Sequence, residues 1–120
     1  MNSRLTIMIM WALLMPVAHA QPPANVQIEV KVLLDFVGGS RCEFYRNGTW
    51  SDSKSAQTHL RAKYEYLAAR NLIDTTEDFI EKAAAKSSLS GQPYEVSCNG
   101  GATVKNKKWL HDELARIRGF

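Results

Sequence analysis

The chain has 120 residues, with 15 Lys plus Arg against 12 Asp plus Glu and a formal net charge of +3. That length suits one modest domain, and the small, dispersed basic excess does not fit a nucleic-acid partner, which calls for a larger and clustered one. Two cysteines far apart, Cys42 and Cys98, and no CxxC, HExxH or related ligand pattern leave no basis for a metal or a cofactor.

Met1–Ala20 differs in kind from the rest. Arg4 precedes an almost charge-free apolar run from Leu5 to Ala18, and Ala18-His19-Ala20 supplies small residues at the cleavage position. This is the layout of a cleavable signal peptide, and the run is short of the roughly twenty apolar residues needed to span a bilayer. The expectation is an exported, periplasmic and soluble protein, with residues 21–120 forming a single domain and no stable membrane insertion after cleavage. In an oxidising compartment the two cysteines read as a disulfide, worth about 4 kcal/mol by loop-closure entropy.

Residues 26–37 carry two periods at once. Val26, Ile28, Val30 and Val32 alternate with polar residues as in a strand, whereas Val26, Val30, Leu33, Leu34 and Val37 form a helical stripe between Asn25, a possible cap, and Gly38-Gly39. Length tilts the balance slightly toward helix. Cys42 to Arg46 reads as a short strand, and Asn47-Gly48 as a hairpin turn whose two residues accept positive φ, with Thr49 and Trp50 returning.

Asp52 or Ser53 can cap a helix running to about Arg70, whose apolar stripe is Ala56, Leu60, Tyr64 and Leu67. Asn71 suits a left-handed exit. Asp74-Thr75-Thr76-Glu77 reads as a capping box opening a helix that buries Phe79, Ile80, Ala83 and Ala84. Ser87 to Pro93 is a loop. Tyr94 to Cys98 is a strand whose Tyr94, Val96 and Cys98 share a face, as do Cys42 and Phe44 in the first strand, so the cysteines can meet at the core. Asn99 to Thr103 is a Gly-rich turn, and Asn106 to Arg118 a closing helix with Leu110, Leu114 and Ile117 as its stripe. The expected fold class is α+β: a small antiparallel sheet, made of a hairpin plus one later strand, packed against three to four helices and tied by Cys42–Cys98.

The chain resembles the YfeK-like family of small exported bacterial proteins, a domain of unknown function. The resemblance rests on Phe44-Tyr45-Arg46-Asn47-Gly48, Ala56, His59-Leu60-Arg61 and Lys63. It continues through Asp74-Thr75, Glu77, Phe79-Ile80 and Lys82 to Ser87-Ser88, Ser90-Gly91 and Pro93-Tyr94. It implies a periplasmic α+β protein, favours helix for residues 26–37, and brings no activity, cofactor or partner with it.

The chemistry-bearing candidates are Arg46, His59, Lys63, Ser87, Ser88 and Tyr94. His59 stands beside the helix stripe with Lys63 one turn on, and a neighbouring ammonium lowers an imidazole pKa. Together with Arg46 and Tyr94 they could line a cleft for a small anionic ligand or another envelope protein; the plainer alternative is a helix-edge histidine bonded to a loop or to water. A hydrolase using His59 as base with Ser87 or Ser88 requires a hydroxyl within about 3.2 Å of the ring, directly or through one water. A structural protein assembling through an apolar surface is a third reading. Ser51-Asp52-Ser53-Lys54 matches SxxK, but its companions SDN and KTG are absent. Lys105, Lys107 and Lys108 beside Trp109 could touch anionic lipid, or form an ordinary solvated helix end.

Overall fold

In the computed structural model, which describes residues 21–120, the doubly periodic segment is a helix, α1, Ala24–Gly39. Burial shows why. The helical stripe Val26, Val30, Leu33, Leu34 and Val37 is buried, while Ile28 and Val32, which a strand would place beside Val26 and Val30, are 65% and 39% exposed. Asn25 is not the cap. The cap is Pro23 and the helix starts two residues earlier than an Asn25 cap would set it, with the Pro23 carbonyl accepting from the amides of Val26 and Gln27; the fixed φ of proline suits a helix entrance. The expected signal peptide, Met1–Ala20, lies outside the described residues.

Next come β1, Glu43–Arg46, and β2, Thr49–Ser51, joined by Asn47 and Gly48 at φ 50° and 84°. Two successive positive φ values match the strand twist in a two-residue hairpin. Helix α2, Ser53–Ala68, is capped by Asp52, whose carboxylate accepts from the Ser55 amide at 2.8 Å. Asn71 turns the chain out at φ 58°, and the Leu72 amide reaches back to the Leu67 carbonyl.

The following capping box lies one residue later than Asp74 and Glu77 would set it. Thr75 Oγ1 accepts from the Asp78 amide, and the Asp78 carboxylate accepts from the Thr75 amide. Asp78 is short enough to close that box, which frees Glu77 for another partner. The helix it opens, α3, Thr76–Phe79, passes directly into a π-helical turn, Ile80–Ala84, which presents Ile80, Ala83 and Ala84 to the core.

Strand β3, Glu95–Ser97, pairs antiparallel with β1, Phe44 opposite Val96. The sheet then gains a strand beyond the three expected: β4, Thr103–Lys105, pairs with β3, giving the order β2-β1-β3-β4. Its turn is a second Asn-Gly, with Asn99 at φ 56° and Gly100 at φ 69°. All three β4 residues are exposed, so the strand has no buried alternation from which to read it. Helix α4, Asn106–Ile117, follows at once.

The helices cover one sheet face. Phe44 and Val96 project from the sheet onto Leu33, Val37, Ile80, Leu110 and Leu114 within one core. Trp109 packs inward against Phe36 and Phe44, with ring centroids 4.4 and 5.6 Å apart. The Cys42–Cys98 disulfide joins the start of β1 to the end of β3, Cα atoms 4.3 Å apart. The architecture is α+β with an antiparallel sheet. Among the described residues no helix is long and apolar enough to cross a membrane, and no group of three or more His, Cys, Asp or Glu could hold a metal.

Candidate functional site

Strand parity sets the first wall of the site. Arg46 lies two residues beyond the core residue Phe44, so both project from the same face of β1, and Arg46 clears the sheet end beside α2. Helix α2 supplies the second wall. Leu60 points into the core and His59 sits half-buried at its edge, with Lys63 one turn further on. Tyr94, buried just before β3, closes the back.

These four residues interact. The Tyr94 ring stands edge-on to His59 at 5.9 Å, with its hydroxyl 3.1 Å from His59 Nε2. Lys63 Nζ donates to the same hydroxyl at 3.2 Å and to the Lys86 carbonyl at 3.0 Å, and lies 4.9 Å from the Tyr94 ring centroid. Burial, followed by the charges of Arg46 and Lys63, lowers the His59 pKa, and burial with Arg46 lowers that of Lys63 to about 8. Burial raises the Tyr94 phenol. The bond directions follow from these states. An ammonium has only protons to offer, so the Tyr94 oxygen accepts from Lys63 and its own proton goes to Nε2 of a neutral His59. The imidazole proton is then on Nδ1.

Arg46, His59 and Tyr94 line a pocket of about 60 Å³. Phe44, Ala56 and Leu60 form its apolar wall, and the hydroxyl residues Ser51 and Ser55 stand along it. Lys63 lies on the other side of the His59–Tyr94 pair. There it lines an adjoining groove with His59, Tyr66 and Ser88. The four residues expected to share one cleft therefore form one cluster with two faces. Lys63 acts on the pocket through Tyr94 and through its charge. Neither Arg46 nor Lys63 meets a carboxylate among the described residues.

Ser87 is not part of that cluster. Its buried Oγ accepts from the amides of Leu89 and Ser90 and from Asn47 Nδ2 at 3.0 Å, while Ser90 Oγ donates to Asn47 Oδ1 at 2.6 Å. The serine loop is thereby zipped to the tip of the β1–β2 hairpin. His59 Nε2 is met by the Tyr94 hydroxyl at 3.1 Å, and no direct hydrogen bond joins His59 to Ser87 or Ser88 among the described residues, while Ser88 lines the groove beside it. Ser53, in the SxxK stretch, is buried and donates to the Gly38 carbonyl.

The basic stretch at α4 is largely neutralised internally. Lys107 pairs with Glu81 at 3.0 Å and Lys108 with Asp112 at 2.7 Å, while Trp109 turns to the core. These are contacts of the kind that an ordinary solvated helix end makes.

One pocket residue escaped the sequence reading. Asn106, in the first turn of α4, is 1% exposed; its Nδ2 donates to the Ala84 carbonyl at 2.9 Å. Its signal was present, since Asn106 precedes Leu110 and Leu114 by four and eight residues and so places an amide on the buried stripe. Ser51 and Ser55 carry no comparable signal.

A model of a family of unknown function, DUF5329, matches residues 24–118. A relative from Salmonella typhimurium strain LT2, described as the uncharacterized protein YfeK, is 36% identical over 78 residues. That match covers 64% of this chain and 63% of the relative, so the aligned part spans less than two thirds of the relative's length. No solved structure matches the chain.

Proposed function

The chain belongs to DUF5329, a family of unknown function, and from its own geometry we propose that it is an exported, non-enzymatic module that binds a small anion in the pocket rimmed by Arg46. One observation carries this reading. Arg46 and His59 line one pocket and Lys63 stands behind it on the far side of the His59–Tyr94 pair, and neither Arg46 nor Lys63 meets a carboxylate among the described residues. Burial first, and the neighbouring positive charges second, lower the pKa values of His59 and Lys63; a bound anion would offset the charge part of that cost. Arg46 makes the direct contact, as its planar fork matches a carboxylate or phosphate. Lys63 is a positioning residue: it holds Tyr94 and adds to the positive field.

Export is supported by the signal-like pattern of Met1–Ala20 and by the disulfide, a bond that persists in oxidising compartments. Periplasmic localisation follows from the same two features and belongs to this proposal.

Calorimetric titration of the protein with acetate and with inorganic phosphate tests the binding reading. Binding by at least one of them is expected, weakened more than tenfold by Arg46→Ala, with the unfolding free energy within about 0.5 kcal/mol of the parent because Arg46 is exposed. Unchanged affinity in the Arg46 variant, or no heat from either anion, overturns it.

A further inference from the structure

Among the described residues, one buried side-chain polar atom has no hydrogen-bond partner: Asn106 Oδ1. Asn106 lines the same pocket as Arg46. Its amide orientation is set locally, because Nδ2 faces the Ala84 carbonyl at 2.9 Å and a flipped amide would put two acceptors together. The orphan is therefore an acceptor and asks for an N–H or O–H donor. Leaving such an atom without a partner is costly, since it has lost its water and gained nothing in return. The position is a tethered one. The Asn106 main-chain amide donates to the Tyr94 carbonyl at 2.9 Å, so the orphan acceptor is anchored to the residue that carries the His59 and Lys63 contacts.

The pocket thus has two unmet demands of opposite kind. Arg46 at the exposed rim calls for an anion, and Asn106, deep in the fold with its Oδ1 closed to solvent, calls for a donor that a small shift of the pocket wall would admit; Phe44, Ala56 and Leu60 line the pocket with them. A volume of about 60 Å³ is several times the roughly 10–15 Å³ that one water needs, so it admits a short chain of about four to six non-hydrogen atoms. We propose that the pocket takes a short carboxylate bearing a hydroxyl or amide donor at its far end, with the acid at Arg46 and the donor on Asn106 Oδ1. This rests on the anion reading above and specifies the ligand that such a site selects.

The experiment compares two acids of equal size, 3-hydroxypropionate and butyrate, which differ by a hydroxyl in place of a methyl, by titration calorimetry on the intact protein. The hydroxy acid is expected to bind about tenfold more tightly, although the apolar wall alone would favour butyrate, because the buried acceptor rejects a methyl. In Asn106→Leu the preference is expected to vanish or reverse. Should that variant fail to fold, the comparison on the parent protein still decides. Equal affinity, or preference for butyrate, overturns the donor-bearing ligand while leaving anion binding at Arg46 intact, with a water then satisfying Asn106. Binding of neither acid overturns the carboxylate ligand, and the anion reading falls with it only if acetate and inorganic phosphate also fail to bind.

Discussion

The molecule holds two clusters built around an arginine, and they are opposites. At the C-terminal end of α4, Arg118 reaches Glu29 of α1 with Nε and Nη2 at 2.8 and 2.7 Å, and Glu77 of α3 with Nη2 at 3.0 Å. Thr76 Oγ1 adds a donor to Glu29 at 2.6 Å. The fork of Arg118 keeps the Glu29 carboxyl at a pKa of about 2 and lowers that of Glu77, while its own is raised. At the other cluster the shifts run the opposite way. His59 and Lys63 are pushed toward their neutral forms, first by burial and then by Arg46. A cation whose pKa is raised by its partner is a finished clasp. The first arrangement ties three helices together; the second meets no carboxylate among the described residues, which is the basis for the anion site proposed above.

The largest expected contrast comes from Arg118→Ala. It leaves Glu29 and Glu77 without their common partner and is expected to cost about 2 kcal/mol in urea unfolding, discounted for partial exposure, with anion affinity unchanged. The pH profile carries the sign. A depressed carboxyl pKa supports the folded state above the unfolded value, near 4.5, and that support is lost as pH falls through 4.5 toward 2. The acid limb should therefore flatten in the variant. An acid limb identical to the parent's would show that the clasp does not hold the fold.

Ser55→Glu converts the open cluster toward the closed one. Position 55 lines the pocket and is the third residue of α2 after the Asp52 cap, where a glutamate complements both the box and the helix dipole. Stability is expected to rise by about 0.5 kcal/mol while anion affinity falls more than tenfold. Binding that survives this internal carboxylate would mean that the anion does not seat beside Arg46.

Tyr94→Phe removes the hydroxyl shared by His59 and Lys63 and is expected to cost about 1 kcal/mol. It should also abolish the preference of His59 for the Nδ1–H tautomer, readable by nitrogen NMR. A parent histidine found with its proton on Nε2 contradicts the bond directions drawn here.

The smallest effect is one of pH on binding. Lys63 titrates at about 8, so the positive field weakens as pH rises past that value. Affinity is expected to fall about threefold between pH 7 and 9, with proton uptake on binding near pH 8, seen by calorimetry in buffers of different ionisation heat. The change should disappear in Lys63→Met.

Local chemistry explains which parts of this picture were legible beforehand. Asn47-Gly48 announced its turn because few residues accept two successive positive φ values, and the parity of Cys42, Phe44, Val96 and Cys98 placed the disulfide on the core side of the sheet. Residues 26–37 read almost evenly because alternation and helical stripe shared Val26 and Val30; length and the family resemblance tilted them to helix, and burial shows why that is the outcome. The β4 strand was silent because its three residues touch no core. Ser87 looked available for chemistry until the hairpin tip claimed its hydroxyl.

The amino-acid order alone thus determined the α+β class, the stripes of the later helices and the first hairpin, which depend on periods and dihedral preferences carried by neighbouring residues, and the cysteine pairing, since only two cysteines exist. Tertiary structure alone decided that Arg118 meets Glu29 and Glu77 whereas Arg46 and Lys63 meet no carboxylate among the described residues, and that Asn106 Oδ1 is left without a partner. A charge acquires its meaning from what packs beside it, and those neighbours come from distant parts of the chain.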